Sequence, residues 1–311
     1  MQPAIMPKIE TPKSVIPEKL QGLHLFHYNG APCAQRVRFA LGEKGLSRGR
    51  EEKFAAISPS SVLGETGKWI SRHVSLPMKD HMTTAYSEIH PNMVVPALAH
   101  EGVLYLESMD IIEYLDDAFG GNRLVPAEEK LREASMRRVQ QAKDLHRSIR
   151  FVTFHWGLGR LAMLNPKERA QLATLASEGK DEEQLVSFYD QYSTGTIPDS
   201  VYFEHLRGLY SAFAEINTEL EDGRQFLMSD DLTIADPFWS MKILRLLECG
   251  YPVKEYHPSV YAWFERIYKR PSFQNEVMGR NRLANRVFRV KASIEGLFGK
   301  GLRQAVERVA V

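Results

Sequence analysis

The stretch of sequence that decides the fold spans residues 94–117 and reads VVPALAHEGVLYLESMDIIEYLDD. Two apolar runs flank Glu101-Gly102, a pattern that is typical of a β-hairpin. Ser108 follows the second run at a point where a helix can begin. The apolar face of that helix consists of Ile111, Ile112 and Leu115. The stretch therefore predicts two antiparallel strands followed by an amphipathic helix.

The residues near the start of the chain predict a strand, a turn and a helix. The run LHLFHY, from Leu23 to Tyr28, alternates as a strand with two different faces does. Pro32 suits the first position of a helix, and Gly45 suits the position just after its end.

The segment between these two stretches is harder to interpret. Residues 47–70 follow no single period, so we expect a long loop with one helical turn. A second strand is predicted at 71–76. Together these elements predict an α/β domain over residues 22–125, preceded by a flexible lead at 1–21.

The chain from Pro126 onward is almost wholly helical in its pattern. Its clearest segment is 199–220, in which apolar residues recur at steps of four and three. Residues 159–198 are polar and broken by glycine and proline, which indicates an insertion between helices. We therefore predict an all-α bundle over residues 126–273.

The tail at 274–311 is net basic and carries apolar residues at helical spacing. Its clustered basic residues are Arg280, Arg282, Arg286, Arg289 and Lys291. Its apolar residues are Leu297, Phe298, Leu302, Ala305, Val306 and Val309. We expect a C-terminal extension that contains a short amphipathic helix and packs on its own protein.

Composition and charge exclude several classes of partner. The 40 basic and 39 acidic side chains nearly cancel, so no overall field favours nucleic acid. No apolar run approaches the roughly 18 residues of a transmembrane segment, and the N-terminus lacks the apolar core of a signal peptide. The two cysteines, Cys33 and Cys249, cannot form a disulfide framework, so we expect a cytoplasmic protein.

Other polar residues are expected to have structural roles. Thr233 and Asp236 have the spacing of a capping box. Arg36 and Arg38 are expected at solvated positions of the first helix, and contact with a neighbouring subunit or a carboxylate is the alternative. The histidines His73, His81, His90 and His100 do not have a convincing metal-ligand spacing, so no metal is expected.

Five motifs in this order resemble the cytosolic glutathione transferase superfamily. They are VRFALGEKGL (37–46), VVPAL (94–98), EGVLYLESMDIIEYLDD (101–117), LTIAD (232–236) and HPSVYAWFERIYKRPSF (257–273). The resemblance implies an α/β thioredoxin-like N-terminal domain followed by an all-α helical substrate domain. It also implies a dimer; we expect a homodimer, and a heterodimer remains open.

The resemblance also implies a site for glutathione as co-substrate. The proline of Val95-Pro96 would be cis, and the backbone of Val95 would pair with the cysteine of glutathione, as a strand adds to a sheet edge. Ser108 would hold the γ-glutamyl carboxylate, because a helix N-terminus offers free N–H groups and a positive dipole. Glu107 would adjoin the γ-glutamyl amine.

The residue that activates the glutathione thiol is not determined by the motifs. The family places a tyrosine, serine or cysteine near the first turn, but Ala31 occupies the usual position here. Cys33 resembles the cysteine of reductive dehalogenases and of the zeta class, and a helix N-terminus lowers the pKa of a thiol. Asn29 can donate an amide N–H to a thiolate, and Tyr28 can donate a hydroxyl. These three catalytic candidates remain open, as does stabilisation of the thiolate by backbone N–H groups alone.

The reaction is predicted from the resemblance and from the length of the chain. The first hypothesis is a glutathione thiolate that attacks a bulky aromatic small molecule such as a β-aryl ether, as in the β-etherases of lignin breakdown. The first alternative is a glutathione-dependent reductive enzyme that acts through Cys33 and a mixed disulfide. The second is a non-catalytic binding protein, which Ala31 supports best.

Overall fold

The computed structural model describes residues 12–159, 163–178, 184–280, 287–288, 290–292, 294–295 and 299–310. The chain divides into two compact units. The first consists of Met1–Asn122 and Leu164–Asp190, and the second of Arg123–Met163 and Gln191–Val311. The segment Leu164–Asp190, which the sequence pattern assigned to the helical half, therefore groups with the N-terminal unit.

The first unit is built on a five-stranded sheet with the order β2-β3-β1-β4-β5. The strands are β1 (Leu23–His27), β2 (Ser47–Lys53), β3 (Lys68–His73), β4 (Ala97–His100) and β5 (Val103–Tyr105). β1 is parallel to β3 and antiparallel to β4, which forms the expected hairpin with β5. The strand expected at 71–76 begins three residues earlier, at Lys68.

The edge strand β2 corrects the sequence prediction of a loop after residue 46. It reads SRGREEK and pairs in parallel with β3. None of its residues is buried, so the alternation that marks a half-buried strand is absent. Salt bridges from Arg50 and Lys68 to Glu65 line this edge, and charge at an edge opposes pairing with other chains.

Three helices in the described part of the N-terminal half belong to this unit; the sequence predicts the first and the third but not the short second one. They are α1 (Pro32–Glu43), a short α2 (Thr84–Ser87) and α3 (Ser108–Ala118). The backbone N–H groups of Lys13 and Ser14 donate to the carbonyl of Glu88, and Leu20 is buried. Residues 12–21 of the expected flexible lead therefore pack against the unit, whereas residues 1–11 lie outside the described residues.

Two further helices, α6 (Pro166–Glu178) and α7 (Leu185–Thr194), contribute to the first unit. Leu172 and Leu185 pack in one cluster with Met82 and Met93, beside α2 and β4. The side-chain amide of Gln171 donates to the carbonyl of Met82 at 2.7 Å. This cluster fixes the chain just before Val95-Pro96.

The second unit is helical. Its helices are α4 (Glu129–Asp144), α5 (His146–Thr153), α8 (Asp199–Glu219), α9 (Ala235–Glu248), α10 (Val253–Tyr256), α11 (Pro258–Tyr268) and α12 (Leu302–Val309). The predicted stripe of α8 is buried at Tyr202, Leu206, Leu209, Phe213 and Ile216. Asp236 accepts from the Thr233 backbone at 2.8 Å and from the Trp263 indole at 2.8 Å, which supports its expected structural role.

The described part of the C-terminal extension packs on the helical unit. Helix α12 contacts α8, with Leu302 and Val306 fully buried. The ammonium of Lys291 donates to the carbonyl of Gly157 at 2.9 Å. The extension residues Arg282, Arg286, Arg289, Leu297 and Phe298 lie outside the described residues. In the part of the chain that the structure describes, no helix is long and apolar enough to cross a membrane.

Candidate functional site

The turn between β1 and α1 is held by a buried arginine. Arg38, only 1% exposed, donates to the carbonyl of Asn29 at 2.9 Å and to that of Tyr28 at 3.3 Å. The expectation that Arg38 is solvated is therefore wrong. Its side chain lies beneath the turn because two carbonyls there need donors, and a guanidinium supplies several in one plane.

Asn29 is fixed by a second arginine. Arg48 donates to the side-chain oxygen of Asn29 at 2.9 Å and to the hydroxyl of Ser71 at 2.7 Å. The imidazole of His27 contacts Ser71 at 2.8 Å and Arg38 at 3.1 Å, which closes the network. Arg48 thereby fixes the orientation of the Asn29 amide, because the side-chain oxygen is the acceptor.

Tyr28 packs on the core of the sheet unit. Its half-buried ring lies 5.8 Å from that of His73, centroid to centroid, at 60°. The Nδ1 atom of His73 is buried and has no hydrogen-bond partner among the described residues. Tyr28 therefore packs toward the core of this unit.

Cys33 lies half-buried in the first turn of α1, directly after Pro32. Arg36, one turn later, donates to the Cys33 sulfur at 3.3 Å. The same guanidinium donates to the Ser108 hydroxyl at 3.4 Å. Arg36 is only 5% exposed, so the expectation of a solvated position is wrong for this residue too. A permanent cation therefore joins the first turns of two helices.

The N-terminus of α3 is formed by Glu107 and Ser108. Glu107 occupies the cap position, makes no side-chain capping bond and is exposed. Ser108 is the first helical residue and is buried, and its hydroxyl faces Arg36 rather than capping the helix. Free backbone N–H groups, a hydroxyl and a guanidinium meet at this end, which is a suitable arrangement for a carboxylate.

The Val95–Pro96 peptide bond is cis, as the resemblance implies. Pro96 directly precedes β4, whose Ala97 lies opposite Phe26 of β1. Because the two strands are antiparallel, Val95-Pro96 lies beside the turn that follows β1. The Tyr86 hydroxyl supports this segment by donating to the carbonyl of Val94 at 2.8 Å.

The structure thus brings the sequence-predicted residues to one end of the sheet unit. Val95-Pro96, the turn from Tyr28 to Cys33 and the start of α3 lie at neighbouring strand and helix ends. Arg48 was not expected in the site, and for Arg36 and Arg38 a contact with a carboxylate was only the alternative to a solvated position. Among the described residues, no group of three or more histidine, cysteine, aspartate or glutamate side chains is arranged to hold a metal ion.

Both halves of the chain match known family models. Residues 25–123 match the model described as Glutathione S-transferase, N-terminal domain. Residues 162–271 match the model described as Glutathione S-transferase, C-terminal domain.

Two bacterial proteins are similar to this chain over most of its length. The 2,5-dichlorohydroquinone reductive dechlorinase of Sphingobium indicum is 26% identical over 285 residues, which cover 82% of each chain. Protein LigF of a Sphingobium species is 24% identical over 228 residues, which cover 70% of this chain and 87% of LigF.

Solved structures agree with this fold. The crystal structure of the β-etherase LigF from Sphingobium aligns with a TM-score of 0.67 at 19% identity, covering 83% of this chain and 99% of LigF. Glutathione transferase E6 from Drosophila melanogaster aligns with a TM-score of 0.58 at 16% identity, covering 86% and 97%.

Proposed function

The chain belongs to the glutathione S-transferase family, and we propose that it is an enzyme that uses glutathione to reduce a halogenated aromatic substrate, with Cys33 as a second thiol. The sequence alone ranked ether cleavage first. The observation that changes this order is the contact between the Arg36 guanidinium and the Cys33 sulfur. A thiolate is the reactive form of cysteine, and a donor with a permanent positive charge stabilises it.

The glutathione site of this proposal consists of the residues that the resemblance implied. The backbone of Val95, before Pro96, pairs with the cysteine of glutathione. Ser108 and the free N–H groups of α3 bind the γ-glutamyl carboxylate, and Glu107 pairs with the γ-glutamyl amine. Its support is the buried Ser108 hydroxyl at the start of α3, with Arg36 at 3.4 Å.

The proposed reaction has three steps. First, the thiolate of glutathione forms a bond to the ring carbon, and halide leaves with the bonding pair. Second, the Cys33 thiolate attacks the sulfur of this thioether, a disulfide bond forms, and the ring carbon keeps the carbon–sulfur pair and takes a proton. Third, a second glutathione thiolate attacks the mixed disulfide and releases glutathione disulfide and Cys33. Two thiols are oxidised, and one carbon–halogen bond becomes carbon–hydrogen.

A similar protein supports this reaction class. The relative from Sphingobium indicum is a reductive dechlorinase of a dichlorohydroquinone by name, and its match spans 82% of each chain. We propose a halogenated hydroquinone or a related phenol as the substrate class. At 26% identity, this relative supports the class of reaction more than it supports any particular substituents on the aromatic ring of the substrate.

A second candidate is cleavage of a β-aryl ether by the glutathione thiolate, in which an aryloxide leaves. It is favoured by the match to Protein LigF over 70% of this chain. Asn29, whose side-chain oxygen accepts from Arg48 in the turn after β1, would then be the residue beside the glutathione thiolate. Cys33 has no chemical step in this reaction.

One experiment separates the two candidates. The purified chain is given glutathione with a panel of halogenated hydroquinones and β-aryl ethers, and halide, phenol and glutathione disulfide are measured. With Cys33→Ser, we expect glutathione disulfide formation to fall at least a hundredfold and the aryl–glutathione thioether to accumulate. Unchanged disulfide formation in this variant contradicts the reductive proposal. Phenol release that is unaffected by Cys33→Ser supports ether cleavage.

We also propose a homodimer in the cytoplasm. The family typically assembles as dimers, and a reaction that consumes free thiols requires a reducing compartment. Sedimentation of the purified chain tests the first part.

A further inference from the structure

Arg36 is the residue that connects the two ends of the proposed site. It lies one turn after Cys33 on α1, is 5% exposed, and donates to the Cys33 sulfur at 3.3 Å and to the Ser108 hydroxyl at 3.4 Å. We infer that Arg36 is a positioning residue for the disulfide-forming step, which stabilises the Cys33 thiolate and holds it at a fixed distance from the carboxylate end of bound glutathione. This inference rests on the proposed function.

The charge of Arg36 explains the first part of this role. A guanidinium keeps its proton at every pH at which proteins are folded, so it can only donate to the sulfur. A hydrogen bond from a cation is stronger to a thiolate than to a thiol, and the thiolate is the form that attacks a thioether sulfur. Because the side chain is almost fully buried, water screens this interaction little.

The shape of Arg36 explains the second part. Its two terminal nitrogens are held in one rigid plane, and each contacts a different helix: one the sulfur on α1, the other the hydroxyl on α3. The rigid guanidinium therefore spans Cys33 and Ser108 and restricts the distance between them through two hydrogen bonds. When the γ-glutamyl carboxylate is bound at Ser108, the rest of the glutathionyl adduct thus reaches the Cys33 sulfur at a constant distance and orientation.

A lysine at the same position would supply charge without this shape. The ammonium is a single point charge on a flexible stem and cannot hold two partners in a fixed plane. Arg36→Lys should therefore preserve much of the reactivity of the Cys33 thiol and lose its constant position relative to Ser108. Arg36→Met and Arg36→Gln should lose both.

The first test measures the reactivity of the Cys33 thiol without substrate. Iodoacetamide and iodoacetate are reacted with the free enzyme at pH 7, and the Cys33 peptide is followed by mass spectrometry, which separates it from Cys249. We expect Arg36→Met and Arg36→Gln to slow alkylation by iodoacetamide about tenfold. Arg36→Lys should stay within about threefold of the wild type.

The ratio of the alkylation rates with the two reagents distinguishes loss of the Arg36 charge from a simple displacement of the Cys33 thiol. Iodoacetate is an anion, so the guanidinium attracts it, and Arg36→Met should reduce the iodoacetate-to-iodoacetamide rate ratio at least threefold. A displaced cysteine would change both rates equally. Arg137→Met is the matched control, because its side chain is 73% exposed on α4 in the other unit, and it should change neither rate.

The second test measures turnover. We expect Arg36→Lys to lower kcat for glutathione disulfide formation at least tenfold while KM for glutathione changes less than threefold.

The outcomes separate this inference from the proposed function. If the wild type makes no glutathione disulfide, the proposed function fails, and the alkylation series still decides the thiolate-stabilising role of Arg36. Equal alkylation rates and equal reagent ratios in the wild type, Arg36→Lys and Arg36→Gln overturn the inference. If Arg36→Met does not fold, the comparison of Arg36→Lys with Arg36→Gln gives the same decision.

Discussion

Arg36 and Arg38 carry the polar contacts of α1 at the candidate site, yet neither stands out in the sequence. Helix α1 is buried at nearly every position from Ala34 to Leu41, so it shows no polar face from which a functional arginine could be distinguished. Val95-Pro96 and Ser108 were predictable because their motif is contiguous. The contact from Arg36 to Ser108 spans 72 residues of chain, and local patterns do not contain such a contact.

The Ser108 hydroxyl gives the most direct residue-scale prediction. Ser108→Ala removes one partner of Arg36 and the proposed donor to the glutathione carboxylate, so we expect the Kd of glutathione to rise about 5- to 30-fold, or roughly 1–2 kcal/mol. Isothermal titration calorimetry measures this change. Ser135→Ala in α4 is a matched control, because Ser135 is also buried and donates only to a helix carbonyl. Equal affinities of Ser108→Ala and wild type would contradict the assignment.

At the scale of elements, strand β2 and the helices α6 and α7 mark where prediction from sequence stops. An alternation of apolar and polar residues identifies a strand that buries one face. Strand β2 buries no residue, so its sequence contains no such alternation. Helices α6 and α7 lie in a segment whose polarity indicates an insertion, but no local pattern says which unit the insertion joins. Their partners, Met82 and Met93, lie far earlier in the sequence, in the N-terminal half of the chain.

The packing of α6 against Met93 predicts an effect on ligand binding. Leu172 is 2% exposed in the cluster that contains Met93 and Val94, directly before Val95. Leu172→Ala should destabilise the protein by about 2–4 kcal/mol through loss of contacts and a cavity. We also expect the Kd of glutathione to rise at least threefold, because the backbone that we propose to pair with glutathione loses its support.

Leu209→Ala in α8 provides the control for this prediction. Leu209 is 0% exposed in the other unit, so its truncation should cost a similar free energy of unfolding. It should leave glutathione affinity unchanged, as measured by calorimetry at a temperature where both variants are folded. If both variants lower the glutathione affinity equally, the effect comes from a general loss of stability. The prediction that the cluster around Leu172 supports the glutathione-binding backbone is then wrong.

At the scale of the whole molecule, the order of motifs predicted a sheet unit followed by a helical one. Each motif can be recognised from its own residues, because the helix or strand that it forms consists of residues adjacent in the sequence. The C-terminal extension was predictable only in part: the spacing of Leu302, Ala305 and Val306 indicated a helix with one buried face, which the structure confirms. The contact of Lys291 with Gly157 joins residues 134 positions apart, and no sequence pattern contains it.

Each unit contains a fully buried histidine, and this predicts how the whole molecule responds to acid. Burial lowers the pKa of His24 in the first unit and of His257 in the second from 6.5 to about 4. The folded state therefore stays neutral while the unfolded chain binds protons, so stability is lost as pH falls from about 6.5 to about 4. Between pH 7 and pH 5 we expect each histidine to cost roughly 1–2 kcal/mol of unfolding free energy. Urea unfolding at both pH values measures this loss, which should shrink by that amount in His24→Gln and in His257→Gln. A loss as large as that of the wild type in both variants would contradict the prediction.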